Sequence, residues 1–455
     1  MSKKIKVMTM GDHPLSPSGV GNQTRYICEA LLQSGDFEIL SLGGALKHHN
    51  YNTITVDPYE NDWKIIPVDG YGTPELVRSV VRNWKPDIIW IMTDPRFWDW
   101  LWMIENEIRS LCPIVYYHVW DNYPYPMFNR NYYLSNDHIV SISKLTDDVI
   151  RNVVPEVPCT YIPHAVDSSV FVSLSLEGRK KLRNDVVKES NRDKFIVFWN
   201  NREDVFKPAS EEDRAKVREQ TLGADKDKFI AFWNNRNARR KQSGTLIFWF
   251  KEWLDKRNLH DKAQLILHTD PKDPNGQDLV HITEHLGLTE EQILFSTARV
   301  PLDKMGAFYH MADVTVNISD AEGFGLATLE SLSCGTPIIV TMTGGLQEQI
   351  MGDDGPFGVP LFPASKAIIG SQNVPYIYED RLNKDHFISA LSNMYDMGPD
   401  ARYELGQKGR AHVLKNYNFK TFREKWVNLM REIHETEGSW STRKKSKTIT
   451  FEEIV

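Results

Sequence analysis

Residues 319–350 constrain the possible fold more than any other part of this sequence. An apolar strand pattern precedes them, and the turn Gly323-Phe324-Gly325 then leads into an apolar run with helical spacing. Gly335-Thr336-Pro337 is a helix-stop signal, and residues 338–340 have the composition of a buried parallel strand. This succession predicts a βαβ unit in a parallel sheet, with a glycine-rich turn at the end of one strand.

Two glutamates flank this turn, because Glu322 precedes it and Glu330 follows eight residues after Glu322. Glycine lets a ligand approach the backbone closely, and the N-terminus of the following helix suits a phosphate group. Glu330 lies too far along the helix to face the same phosphate, so we expect it to accept hydrogen bonds from a ribose. Glu322 is placed to bind the hydroxyls of a second sugar. A diphosphate between two sugars is a nucleotide sugar.

The motif E-G-F-G-L-x-x-L-E, followed by C-G-T-P and G-G-L-x-E, resembles the donor-site signature of the group 1 glycosyl transferases, a large retaining family. The resemblance implies an α/β chain of the GT-B fold, with two Rossmann-like, doubly wound domains that face each other across a cleft. The alternative is an ordinary strand–turn–helix unit of a doubly wound sheet. The donor-binding residues that the resemblance implies in this segment are Glu322, Gly323, Phe324, Gly325, Leu326 and Glu330.

The first half of the chain alternates strand and helix patterns, which predicts a parallel sheet covered on both faces. A glycine-rich turn, Gly19-Val20-Gly21, follows the first strand pattern. It lacks the third glycine of the dinucleotide fingerprint, so it is weak evidence for a dinucleotide site. In the family the corresponding loop lies in the cleft, near the acceptor. The alternative is a tight turn between a strand and a helix.

Residues 115–126, VYYHVWDNYPYP, place His118 at the end of an apolar strand pattern, where α/β sheets bind ligands. The aromatic loop that follows is stiffened by prolines and suits the faces of sugars. In the family a histidine at the end of a comparable strand contacts the donor sugar, so His118 is the candidate for this role. Asp121 is a candidate carboxylate on the acceptor side. For His118 the alternative is a structural histidine.

A near-identical repeat occurs in the middle of the chain. Residues 193–202 read DKFIVFWNNR and residues 227–236 read DKFIAFWNNR, at a period of 34 residues. Only one copy can supply a strand to the second sheet. We expect the second copy to do so, because the spacer before it matches that of the family and a helical pattern follows it. Residues near 168–202 are then an excursion at the domain junction.

Arg236 and Lys241 lie at the end of the second copy and keep the family's spacing of an Arg and a Lys five residues apart. A leaving nucleoside diphosphate gains negative charge as the glycosidic bond breaks, and fixed cations stabilise that charge. Arg binds phosphate with two donors, whereas Lys supplies a point charge. The resemblance implies that both residues bind the diphosphate and act in catalysis with Glu322 and His118. The alternative is a solvated basic turn.

The composition bounds the possible partners. A net charge of −7 gives no general attraction to nucleic acid or to anionic membranes. The four cysteines include no C-x-x-C pair, which favours buried thiols in a reducing compartment. No apolar run approaches the roughly 18–20 residues that span a bilayer. We therefore expect a cytoplasmic protein without a transmembrane segment. No D-x-D pair, the usual signature of metal-dependent glycosyltransferases, follows a strand pattern, so we expect neither a metal ion nor a cofactor other than the nucleotide sugar.

Five parts are predicted along the chain. They are an acceptor-side Rossmann-like domain, a degenerate duplicated segment at the domain junction, a Rossmann-like donor domain, a helix that crosses back to the first domain, and a tail. Their predicted bounds are residues 1–165, 166–203, 204–420, 421–437 and 438–455. Residues 352–381 contain four prolines, which predicts a long turn-rich insert after the donor motif.

The implied function is the metal-independent, retaining transfer of a hexosyl group from a nucleotide-diphosphate sugar to an acceptor hydroxyl. The acceptor stays open between a glycan, a lipid-linked molecule and a small molecule. Two alternatives to a glycosyltransferase stay open as well. One is a catalytically silent protein that binds a nucleotide sugar, and the other is a nucleotide-sugar 2-epimerase.

Overall fold

The computed structural model describes residues 3–179, 228–298, 300–353 and 355–444. The chain forms two compact units. The first comprises residues 1–165, 368–378 and 417–455, and the second comprises residues 166–367 and 379–416. The first copy of the repeat and the predicted start of the donor domain at Asp204 lie outside the described residues.

The sheet of the first unit has eight described strands in the order β3-β4-β2-β1-β5-β6-β7-β8. All neighbours are parallel except β3 and β4, which are antiparallel. The order changes direction between β1 and β5, and ligands of such sheets bind at the carboxyl ends of the strands at this switch point. The strands are β1 (Ile5–Asp12), β2 (Phe37–Gly44), β3 (Ile54–Val56), β4 (Glu60–Pro67), β5 (Ile88–Met92), β6 (Ile114–His118), β7 (His138–Ser141) and β8 (Cys159–Tyr161).

Several helices of the first unit begin at side-chain caps. Ser18 and Thr73 each accept a hydrogen bond from a backbone N–H of the first turn, and Ser143 forms a capping box with Thr146. These contacts explain why the helices begin where they do. The helices that precede residue 165 are α1 (Gly19–Gln33), α2 (Pro74–Trp84), α3 (Asp99–Trp102), α4 (Glu105–Arg109), α5 (Arg130–Leu134) and α6 (Lys144–Val153).

The second unit contains a parallel sheet of six described strands in the order β11-β10-β9-β12-β13-β16. The second copy of the repeat forms β9 in the interior of this sheet, so the prediction that it supplies a strand is confirmed. The switch point lies between β9 and β12. The strands are β9 (Phe229–Asn234), β10 (Ala263–His268), β11 (Ile293–Ser296), β12 (Val314–Asn317), β13 (Ile338–Thr341) and β16 (Gly358–Leu361).

The interior of the second unit is apolar and well packed. Strand β9 is buried along nearly its whole length, and Trp233, Phe250 and Trp253 are all inaccessible to solvent. A parallel sheet that is covered on both faces requires such continuous apolar strands. The helices of this unit are α7 (Ser243–Arg257), α8 (Leu279–His285), α9 (Leu302–Met311), α10 (Leu326–Ser333), α11 (Leu346–Ile350), α12 (Lys384–Asp396) and α13 (Gly398–Asn416).

The segment from 352 to 381, which the sequence predicts as a long turn-rich insert, is mainly β structure. A short hairpin, β14 (Met351–Gly352) with β15 (Gly355–Pro356), precedes the edge strand β16. A longer two-stranded sheet follows, made of β17 (Ser365–Ser371) and β18 (Val374–Arg381). The prolines misled the prediction, because Pro360 lies in an edge strand, where a missing N–H is tolerated.

The last long helix, α14 (Phe419–Glu437), belongs to the first unit. Asn418 caps its N-terminus. Trp426 is fully buried and makes edge-on contacts with Tyr117 and Trp90, with ring centroids 4.9 and 6.1 Å apart. The apolar face of this helix therefore completes the core of the first unit.

Candidate functional site

Two loops meet at the switch point of the second sheet. One follows β9 and contains residues 235–242, and the other follows β12 and contains residues 318–325. The N–H of Asp320 donates to the carbonyl oxygen of Arg240 at 2.8 Å, and the Arg240 guanidinium donates to the carbonyl oxygen of Ala321. These bonds hold together two loops that are about eighty residues apart in the sequence.

Lys241 and Glu322 form a buried ion pair across this junction. Lys241 Nζ bonds to Glu322 Oε2, and the two residues are only 8% and 9% exposed. Burial alone raises the pKa of the Glu322 carboxyl, but the charges of Lys241 and Arg240 outweigh it, so the pKa lies below its ordinary value. The site therefore holds an ionised carboxylate against two cations.

A pair of glycines packs directly onto the backbone of this loop. The N–H of Gly345 donates to the carbonyl oxygen of Glu322 at 3.1 Å. Gly344 has a φ of +50°, and a Cβ at this position lies only 1.6 Å from the same carbonyl oxygen. Only glycine fits here, because any side chain collides with the loop that carries Glu322. The two glycines of the motif G-G-L-x-E thus pack against the loop that carries the motif E-G-F-G and help to fix its position.

Helix α10 begins immediately after Gly325, whose φ is +91°. No side chain among the described residues caps this N-terminus. The Thr328 hydroxyl donates to the carbonyl oxygen of Gly325 at 2.8 Å, so this side chain stabilises the turn and not the first N–H groups of the helix. Free N–H groups and the positive end of the helix dipole are what a phosphate binds.

Glu330 lies one turn into α10 and is partly exposed. Its Oε2 accepts a hydrogen bond of 2.6 Å from the hydroxyl of Tyr309 on α9. Burial raises the pKa of this carboxyl to about 7, and the hydrogen bond from Tyr309 acts in the opposite direction. The two glutamates of the motif therefore have opposite electrostatic environments.

Arg236 contacts neither glutamate through any hydrogen bond or ion pair in the described part of the chain. Its guanidinium instead binds Asp273 with two hydrogen bonds of 2.6 and 3.2 Å, and its side chain is 64% exposed. The structure thus brings Lys241 to Glu322 but places Arg236 in a separate, solvated ion pair.

Comparison with known proteins identifies this segment. Residues 213–356 match the model of the family described as Glycosyl transferases group 1. This part of the chain is similar to the group 1 glycosyl transferases. The resemblance predicted from the E-G-F-G-L motif is confirmed.

Similarity to individual proteins agrees with this family. A D-inositol 3-phosphate glycosyltransferase of Paenarthrobacter aurescens is 35% identical over 136 residues, which are 30% of this chain and 28% of that protein. The chain thus matches less than a third of the length of this curated relative.

Solved structures extend the likeness in fold to nearly the whole chain. Sucrose-phosphate synthase from Thermosynechococcus elongatus has a TM-score of 0.69 at 16% identity, over 95% of this chain and 100% of that one. The Anabaena protein HepE, solved with UDP and glucose, has a TM-score of 0.64 at 14% identity, over 94% of this chain and 100% of its own. The predicted GT-B fold is confirmed.

His118, which the group 1 resemblance assigns to the donor sugar, is enclosed within the first unit. It lies at the end of β6 with 0% exposure, and its Nε2 is 2.9 Å from the hydroxyl of Tyr133. Burial lowers its pKa to about 3, so the imidazole is neutral. The contact between His118 and the donor sugar therefore stays a prediction, with the structural histidine as its alternative. Its strand-end position was a real signal, but burial was not visible in the sequence.

The predicted acceptor-side residues divide between a helix and a loop. Gly19, Val20 and Gly21 form the first turn of α1 and not a loop, because the helix begins at Gly19. Gly21 is buried against Ser16, whose Oγ lies 2.3 Å from the position of an added Cβ. Asp121 is partly exposed in the loop after β6. Their roles toward an acceptor stay a prediction.

A cluster of charged residues behind the donor-motif loop was missed by the sequence analysis. Glu379 on β18 is 3% exposed and accepts two hydrogen bonds from Arg239, at 2.6 and 2.8 Å. Arg381 forms ion pairs with Glu379 at 3.1 Å and with Asp320 at 2.8 Å. Burial raises the pKa of Asp320 to about 6, although Gln242 and Arg381 oppose this. No motif signalled Glu379, which lies in the segment predicted as turns.

The remaining predictions concern metals, membranes and thiols. Within the described residues no group of three or more His, Cys, Asp or Glu side chains is arranged to hold a metal ion. None of the described helices is both long enough and apolar enough to cross a bilayer. All four cysteines are free thiols, and Cys28, Cys112 and Cys334 are buried.

Proposed function

We propose that this protein is a retaining glycosyltransferase that transfers a hexosyl group from a nucleotide-diphosphate sugar to an acceptor hydroxyl without a metal ion. The observation that carries the proposal is the buried Lys241–Glu322 pair beside the uncapped N-terminus of α10. A cation, a carboxylate and free N–H groups at one switch point match a diphosphate joined to a sugar. The family match over residues 213–356 supports the same conclusion.

Each group has a chemical role in the proposal. Lys241 and the first N–H groups of α10, with Arg236 after it leaves Asp273, neutralise the diphosphate as the glycosidic bond lengthens. Fixed positive groups in a water-poor site require no reorganisation when charge develops on the leaving oxygen. These groups supply the positive charge that a metal ion supplies in other transferases.

The two glutamates bind the sugars at either end of the diphosphate. Glu330 accepts hydrogen bonds from the ribose hydroxyls. Glu322, together with the backbone of Gly323, Phe324 and Gly325, binds hydroxyls of the transferred hexose. Their different environments suit these two roles, because Glu322 stays ionised beside Lys241 while the side chain of Glu330 is partly exposed to solvent.

Retention follows if the acceptor hydroxyl attacks the face from which the diphosphate departs. The bond between the anomeric carbon and the phosphate oxygen then breaks as the new bond to the acceptor oxygen forms. The leaving phosphate takes the proton of the acceptor hydroxyl, so no side chain has to act as a nucleophile. An acceptor-side role for Gly19, Val20, Gly21 and Asp121 is part of the proposal.

Two measurements test this function. A thermal-shift screen of UDP, GDP and ADP sugars is expected to give a stabilising donor, with UDP-glucose tested first because HepE was solved with UDP and glucose. The stabilising donor is then incubated with sugar, lipid-linked and small-molecule acceptors in the presence of EDTA. We expect a new glycoside with the anomeric configuration of the donor, read by NMR.

Other results of the same assay would overturn the proposal. Binding without turnover indicates a silent nucleotide-sugar-binding protein, and interconversion of the donor sugar indicates a 2-epimerase. An inverted product contradicts retention. Loss of activity in EDTA that is restored by Mg²⁺ contradicts metal independence.

A further inference from the structure

A chain of two hydrogen bonds connects β9 to the second glutamate of the donor motif. Asn234 Nδ2 donates to the hydroxyl of Tyr309 at 2.9 Å, and this hydroxyl donates to Glu330 Oε2 at 2.6 Å. An amide NH₂ only donates and an ionised carboxylate only accepts, so the direction of the Tyr309 hydroxyl is fixed by its two partners. These two hydrogen bonds connect three elements, β9, α9 and α10.

The middle of this chain is rigid. Tyr309 is 0% exposed, and its ring makes edge-on contacts with Phe232 at 5.3 Å and with Phe171 at 6.2 Å between centroids. The Thr336 hydroxyl donates to the Tyr309 carbonyl oxygen at 2.7 Å. Ring packing and this backbone contact leave the Tyr309 hydroxyl a single position, so it acts as a fixed donor.

Glu330, the last residue of this series of hydrogen bonds, differs from Tyr309 because it is only partly buried. Its Oε2 is bound by Tyr309, whereas its Oε1 receives no hydrogen bond from any described residue. A carboxylate that served only the fold is normally satisfied at both oxygens when it is removed from water. Here one oxygen is held by the protein and the other is left for a ligand.

We propose that Tyr309 is the positioning residue of Glu330, which it holds through Oε2 so that Oε1 meets the donor ribose, and that Asn234 fixes the Tyr309 hydroxyl in turn. The inference rests on the proposed function, since it gives Glu330 a nucleotide to bind. It goes beyond that function by assigning roles to two residues outside the donor motif. Neither residue touches the donor in this scheme.

The test compares Tyr309→Phe with the wild-type protein, and it uses the donor found by the thermal-shift screen. We expect the donor KM and the Kd of the free nucleoside diphosphate to rise about tenfold, because the lost hydrogen bond involves a charged group. The kcat and the acceptor KM are expected to change less than about twofold, since Tyr309 does not touch the reacting atoms.

A pH profile separates positioning from simple stabilisation. The Tyr309 hydrogen bond favours the ionised form of Glu330. Its removal is therefore expected to shift the rise of nucleotide affinity to higher pH. Asn234→Ala is expected to act in the same direction but less strongly. The double variant is expected to match Tyr309→Phe alone, because both residues act through one carboxylate.

Tyr117→Phe is the matched control. Tyr117 is also fully buried, and its hydroxyl donates to the Ile162 carbonyl oxygen at 2.9 Å in the first unit. We expect this variant to lose stability like Tyr309→Phe but to keep the wild-type nucleotide Kd and pH profile. If Tyr309→Phe lowers only the melting temperature, as Tyr117→Phe does, the positioning role is wrong. If the wild-type protein binds no nucleotide, the proposed function fails instead.

Discussion

Each unit has a helix that begins just after a strand at the switch point of its sheet, and the two helices begin differently. Helix α1 follows β1 and α10 follows β12, and both strands lie at a switch point. Both helices also begin beside glycines. At α1, Ser18 Oγ accepts a hydrogen bond of 2.9 Å from the Gly21 N–H and donates one of 2.6 Å to Asp12. The N-terminus of α1 is therefore satisfied by the protein, with a carboxylate close by.

At α10 the corresponding position is Gly325, which has no side chain to act as a cap. The nearby charges also differ, because the carboxylate of the preceding loop, Glu322, is paired with Lys241 and lies close to the cation of Arg240. The same pattern of strand, glycine turn and helix thus gives a closed turn in one unit and an open turn with two cations beside its carboxylate in the other. The residue just before the helix and the charge of the neighbouring loop decide which turn suits a phosphate.

Among the variants that test this difference between the two turns, Lys241→Met is expected to cause the largest loss of activity. It removes the cation beside Glu322, so we expect transfer to fall by a factor of about 100 to 1,000, as for other groups that stabilise transition-state charge. Lys241 and Glu322 are both about nine-tenths buried, so the unpaired carboxylate is expected to cost about 3 kcal/mol of folding free energy at neutral pH.

The pH dependence of stability provides a sign test for the same variant. In the wild type the lowered pKa of Glu322 gives stability that is present above the unfolded-state pKa and is lost as pH falls. Without Lys241, burial is expected to raise the pKa of Glu322 above its unfolded-state value. The contribution of Glu322 to the free energy of unfolding then falls as pH increases. Urea unfolding from pH 4 to 8 measures this. Lys251→Met, which removes an exposed helix pair with Asp255, is the control and should change stability by less than about 0.5 kcal/mol.

Gly344→Ala is expected to be next in size. The new Cβ collides with the Glu322 carbonyl oxygen and also has to adopt a positive φ, so we expect more than about 2 kcal/mol of destabilisation and a large loss of donor affinity. Gly287→Ala is the matched control, because Gly287 has a φ of +67° but nothing within 4 Å of an added Cβ. It is expected to lose only about 1 kcal/mol. Equal effects of the two variants would show that the collision is relieved without disturbing the loop.

The contrast also shows what a sequence can reveal of such a site. Lys241 and Glu322 were assigned to one site although they are 81 residues apart. This succeeded because a doubly wound sheet places β9 beside β12, so the loops after these strands meet. The assignment itself came from the resemblance of these motifs to the group 1 glycosyl transferases, whereas the order of the strands was not predicted from the sequence.

Side-chain partners were less predictable. Arg236 and Lys241 lie on one short loop, but Arg236 pairs with Asp273 after β10, and that choice depends on side-chain direction. His118 ends its strand as predicted, but Tyr133 from α5 covers it. The contacts of Glu379 could not be predicted, because this residue lies in a segment whose prolines indicated turns although the segment forms strands. Periodicity predicts elements, whereas these pairings depend on which elements pack together.

The pH dependence of donor binding is expected to show a moderate effect that distinguishes the two glutamates. Burial raises the pKa of Glu330 to about 7, and only its ionised form accepts two ribose hydrogen bonds. We therefore expect kcat/KM for the donor to rise about tenfold between pH 6 and 8, which matches the change in the ionised fraction of such a group. Glu330→Gln is expected to weaken donor binding and flatten this rise. A rise that persists in Glu330→Gln would assign it to another group.

Ser18→Ala is expected to have the smallest effect, and it tests the closed turn of the first unit. Loss of the cap leaves the Gly21 N–H without its side-chain acceptor, so we expect about 1 kcal/mol of destabilisation in urea unfolding. Thr73→Ala at the start of α2 is the matched control, since Thr73 caps its helix in the same way through the Leu76 N–H. Both variants are expected to keep the donor KM of the wild type. A donor KM that rises in Ser18→Ala but not in Thr73→Ala would contradict the assignment of the diphosphate to α10, because the open turn would then not be the one that binds it.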